Sequence, residues 1–154
     1  MNWTAISTIT EVIGVIVVVV SLGYVAAQIR QSTNAILGHS RQILLDADLG
    51  LISDYIDTAI DPHLIGDDVE LSPEDERRFV WLLIKAIRIR EFAWHQYNSG
   101  NLDEESLQSY MAPVAGMFAS ERAKAVLKFY TGDQEFMQYF LDWLGAAQQS
   151  SRDL

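Results

Sequence analysis

Cysteine is absent from the chain. That excludes disulfides, thiolate metal sites and thiol catalysis, and leaves the compartment open. Histidine is almost absent as well, with three residues that make no recognisable metal-ligand spacing, so no metal and no cofactor is expected. No Gly-rich phosphate loop, no Ser/His/Asp set and no glycosidase-type carboxylate pair occurs, and no catalytic residue is assigned. Strand-type alternation is missing too, and no internal repeat or low-complexity linker is found. The first thirty residues lack charge except at Glu11 and Arg30. The formal net charge of −10 therefore falls almost wholly on the remainder. Such a surface repels phosphate backbones and anionic lipid headgroups, so by bulk charge nucleic acid and anionic lipid are both poor partners unless a local basic patch overrides it.

What the N-terminal segment does have is a long apolar run. Val12 to Ala27 reads VIGVIVVVVSLGYVAA, with only Ser21 and Tyr24 polar. From Thr4 to Ile29 a helix would measure roughly 39 Å at about 1.5 Å per residue. A bilayer core needs about 30 Å, so the segment spans it with some tilt. Trp3 and Tyr24 lie near its two ends, where amphipathic aromatics settle. A cleaved signal peptide, ending near Val25-Ala26-Ala27, is the main competitor. It would need a basic start, and this segment carries Glu11 instead. A buried core helix is the second competitor, disfavoured because so small a domain cannot wrap a helix that is apolar all round. Arg30 and Arg41 follow the span and no base precedes it. The positive-inside rule then puts the N-terminus outside and the C-terminal domain in the cytoplasm, at the inner membrane.

One spacing within the span stands out. Thr4, Ser7, Glu11, Gly14, Val18, Ser21, Val25 and Gln28 step by alternating threes and fours, the seam of left-handed helix packing. Ser32, Ala35 and His39 continue it. A carboxylate inside the bilayer is costly unless it is paired, protonated or wet. A parallel homo-oligomer would gather the Glu11 side chains around one axis. Small residues and hydroxyls also serve plain packing, Gly23 and Ala27 offer a rival right-handed contact, and Glu11 at headgroup depth would need no partner. The sharper alternative is a cation channel or ion sensor with a Glu11 ring and apolar constrictions at Val18 and Val25.

The remainder reads as a small helical bundle, giving an all-α chain divided as anchor 1–31, soluble domain 32–147 and flexible tail 148–154. Asn34 to Ile60 carries Leu45, Leu49, Ile52, Ile56 and Ile60 at helical spacing, with a break expected near Gly38 and a stop at Asp61-Pro62. Ser72-Pro73-Glu74-Asp75 is a helix start, with a cap, a first-turn proline and acids at the positive dipole end. That helix is apolar on several faces, stops at Gly100, and is expected to be central. Asp103 opens a helix that Pro113 interrupts. Ser120 caps another ending near Gly132, and Asp133 starts the last. Tyr and Trp residues are assigned to the core.

Arg90, Glu91 and His95 on the central helix are the candidate ligand residues. Glu91 and His95, four apart, share a face and could bind metal or do acid–base work, with a helix-surface hydrogen bond as the preferred role. For Arg90 and Glu91 the functional reading is an anion-binding Arg, and a structural ion pair with another helix is preferred, because buried charges persist only when paired. Arg78, Lys85 and Arg88 can form a stripe toward anionic lipid, or pair with the chain's many acids.

The segments SLGYVAAQIRQSTNA and EFAWHQYNSGNLD carry a resemblance. In them, Ser21, Leu22, Tyr24, Gln28, Ile29 and Arg30, then Glu91, Tyr97, Gly100, Leu102 and Asp103, resemble a broad group of uncharacterised bacterial single-span proteins. Those have an N-terminal membrane helix followed by a helical domain. The resemblance implies no activity, cofactor or catalytic residue. The sequence thus points to a non-enzymatic, membrane-anchored scaffold or accessory subunit. It would bind the bilayer, copies of itself and another membrane protein.

Overall fold

The computed structural model describes residues 3–150, with side chains described from Ile13 to Gln149 apart from Asn34. Every regular element among the described residues is helical. They are α1 (Trp3–Thr58), α2 (Pro73–Asn98), α3 (Glu104–Met111), α4 (Val114–Met117), α5 (Glu121–Ala125), a 3-10 turn (Val126–Phe129) and α6 (Gln134–Ser150). The chain divides into two units, residues 1–39 and residues 40–154.

In the first unit, α1 is long and apolar enough to cross a membrane, and none of that apolar window is buried. Two described hydroxyls of α1 in this unit bond within the helix. Ser21 donates to the Val17 carbonyl at 2.8 Å and Thr33 to that of Ile29 at 3.0 Å. Each returns its proton to the preceding turn, which removes the cost of an unmet donor.

No break occurs near Gly38, because α1 runs on to Thr58. A single helical glycine costs only about 1 kcal/mol, too little to interrupt a helix held by its neighbours. The helix ends when Ala59 takes a left-handed φ of 54°, a conformation usually left to glycine. The expected apolar stripe is also reversed. Ser40, Leu44 and Leu51 are buried, with Ala47 and Tyr55 packed beside them, whereas Leu45, Leu49, Ile52 and Ile56 face outward. Ile60 alone of the expected set is buried.

The second unit is built on α2, which supplies Phe79, Leu83, Ile87 and Arg90 to its interior. Ser72 caps α2, its hydroxyl accepting from the Asp75 amide at 3.1 Å. Gly100, with φ of 73°, follows its last turn. Asp103 caps α3, and Ser120 caps α5. Asp133 caps α6 by accepting from the amides of Glu135 and Phe136 at 2.8 and 3.0 Å. α6 turns Phe136, Phe140 and Leu144 inward. Phe140 meets Phe118 edge-on at 5.5 Å between ring centres, and Phe136 at 5.7 Å.

Candidate interaction surface

The seam residues Gly14, Val18, Ser21, Val25 and Gln28 lie exposed on α1. Ser7 and Glu11 belong to the same helix, but their side chains lie outside the described residues. Within residues 40–154, the exposed Leu45, Leu49, Ile52 and Ile56 step by four, three and four. They form one apolar stripe on the outer face of α1, with Ile56 74% exposed. Four large aliphatic side chains in water at heptad spacing are an unmet packing surface.

Arg90, Glu91 and His95 do not form one site. Arg90 is wholly buried and turns toward α1, where its Nη1 meets Asp48 at 3.0 Å. Its Nε donates to the Tyr110 carbonyl at 3.1 Å, in the last turn of α3. Tyr110 is among the last four residues of α3, whose carbonyls run out of donors within the helix. A cation there also opposes the negative end of the helix dipole. The Nη2 atom has no partner. Beside Arg90 lies a cavity of about 320 Å³, walled mostly by apolar side chains. Tyr55 also borders it, and burial pushes the Tyr55 hydroxyl well above the usual tyrosine range.

Glu91 and His95 instead hold the start of α6. Glu91 accepts from the Asp133 amide at 2.9 Å and from Arg88 at 2.7 Å, and His95 lies 3.7 Å from the Asp133 carboxylate. Burial works to raise the Glu91 pKa. The Asp133 amide and Arg88 outweigh it and hold the carboxyl below its ordinary 4.5. A depressed folded pKa adds stability above the unfolded value and loses it as pH falls through the folded one. Glu91→Gln is therefore expected to flatten the acid limb of the stability profile below pH 4.5. Thermal unfolding between about pH 3 and pH 6 reads this directly.

The basic stripe is neutralised in place. Arg78 meets Glu74 at 2.5 Å, Lys85 meets Asp54 at 2.6 Å and Arg88 meets Glu91 at 2.7 Å. A different feature lies next to it. Trp81, which the sequence placed in the core, is 69% exposed and walls a groove of about 500 Å³ between α2 and the 3-10 turn. Phe129 forms the opposite wall. The signal was present in the phase of α2. Phe79, Leu83, Ala86, Ile87 and Arg90 define the inward face, and Trp81 falls outside it.

Comparison with protein-family models, with curated proteins and with solved structures finds no match to this chain.

Proposed function

We propose that this chain is a membrane-anchored, self-associating helical scaffold or accessory subunit without catalytic activity. The observation that carries the reading is the apolar stripe that Leu45, Leu49, Ile52 and Ile56 leave exposed in the second unit, together with an anchor segment whose apolar window is unburied in the first. In sequence, Gly14, Ser21, Gln28, Ala35, Gln42, Leu49 and Ile56 fall seven apart. A parallel second copy, coiled at about 3.5 residues per turn, can follow such a line. A parallel pairing also gives Glu11 another Glu11 with which to share a proton, which lowers the cost of a carboxylate in the bilayer. The inner membrane, with the helical domain in the cytoplasm, follows from Arg30 and Arg41 after the span.

Mass measurement of the full chain in mild detergent tests this. An oligomer is expected, and a strict monomer refutes self-association. A chain left in the aqueous supernatant after membranes are sedimented refutes the anchor. Changing Leu49, Ile52 and Ile56 together to Ser is expected to weaken association by roughly a hundredfold or more. Helix content should stay, because Ile56 is largely in water and Leu49 and Ile52 are about half exposed.

A further inference from the structure

The groove beside Trp81 has a chemistry that self-association does not use. Its walls are apolar, with Val80, Trp81 and Ile84 from α2 on one side and Phe129 on the other. Trp81 and Phe129 are 69% and 66% exposed, two aromatic side chains left largely in water. Two guanidinium groups border the same groove, Arg77 and Arg88. Arg88 is fixed, bonded to Glu91 at 2.7 Å with its guanidinium 5.1 Å from the centre of the Tyr130 ring. Arg77 has no hydrogen-bond or ion-pair partner among the described residues. The one acid bordering the groove, Glu76, faces Arg122 at 3.8 Å. With Arg88 neutralised by Glu91, Arg77 is the unpaired charge beside the apolar cleft, in a chain whose net charge is −10.

We propose that this groove binds one acidic phospholipid, with the headgroup phosphate on Arg77 and an acyl chain laid between Trp81 and Phe129. A free guanidinium grips phosphate through two parallel N–H donors, and the aromatic walls shelter alkyl chain from water. The volume lies within the range of ordinary ligand sites. A zwitterionic lipid carries its own ammonium beside the phosphate, so it gains less from Arg77. The proposal rests on the anchoring reading for the supply of lipid and is independent of self-association.

The test uses the full chain in phosphatidylcholine nanodiscs. Water-soluble short-chain phosphatidylglycerol, short-chain phosphatidylcholine or inorganic phosphate is titrated in. Trp81 emission is isolated by subtracting the Trp81→Phe variant. A saturable blue shift with phosphatidylglycerol is expected, about tenfold weaker with phosphatidylcholine and absent with phosphate. Arg77→Gln is expected to weaken the phosphatidylglycerol response about tenfold, the loss of one charge-assisted contact, with helix content unchanged. No saturable shift, equal response to both lipids, a full response to inorganic phosphate, or indifference to Arg77→Gln overturns the proposal. A monomer that binds phosphatidylglycerol refutes self-association alone, and an oligomer that does not bind refutes this site alone.

Discussion

Asp48→Leu is expected to destabilise the helical domain by about 3 kcal/mol or more, because it leaves the Arg90 guanidinium buried without its counter-ion. Arg90 is 0% exposed, and its Nη2 already lacks a partner. Among the described residues the Asp48 carboxylate, at 3.0 Å, is its one ion-pair partner. Asp48 itself retains some contact with water, which places the cost at the lower end of the range for a broken buried pair. The double change Asp48→Leu with Arg90→Met is expected to recover most of the loss. It should not recover all of it, since Met cannot donate to the Tyr110 carbonyl, and an unmet buried acceptor costs about 1–3 kcal/mol. Chemical unfolding of the full chain in detergent, followed by tryptophan emission, measures all three proteins. A single variant as stable as the native chain would show that Asp48 does not neutralise Arg90.

Phe140→Ala should be the most damaging apolar truncation, at about 3–5 kcal/mol. The ring is wholly buried and touches Phe118 and Phe136, so its removal leaves a hole that two rigid rings cannot fill. With urea slopes of about 1–3 kcal/mol per molar, the midpoint should fall by more than about 1 M. Ile56→Ala provides the contrast. Its side chain is largely in water, so the domain should lose little stability while self-association weakens. Equal destabilisation by the two changes would mean that Ile56 is covered and that the outer stripe is not a free surface.

Local signals were legible because local chemistry enforces them. Ser72, Asp103, Ser120 and Asp133 each accept amide bonds at a helix start, as their positions in the sequence imply. Gly100 follows the end of α2 for a similar reason, since its positive φ suits a residue without a side chain. The phase of α1 was not legible in the same way. Leu44 and Leu51 lie on one face of that helix, and Leu45, Leu49, Ile52 and Ile56 on another, with the same period. Periodicity finds a helix, but it does not choose between two apolar faces. Arg90 was recognised as a residue needing an ion pair, but its partner Asp48 is 42 residues away in sequence and on another helix. The joint role of Glu91 and His95 at the start of α6 was likewise hidden, because Asp133 reaches them only through the fold.

The sequence by itself determined an all-helical chain, the places where helices start, and an N-terminal segment apolar enough to cross a bilayer. Capping, proline geometry and hydropathy act over a few residues, so they are written locally. Only the tertiary structure decided which face of α1 turns inward, which acid neutralises Arg90, and that Trp81 and Phe129 stand opposite each other across a groove. Those outcomes depend on residues far apart in the chain competing for the same interior space, and no local pattern records which of them wins.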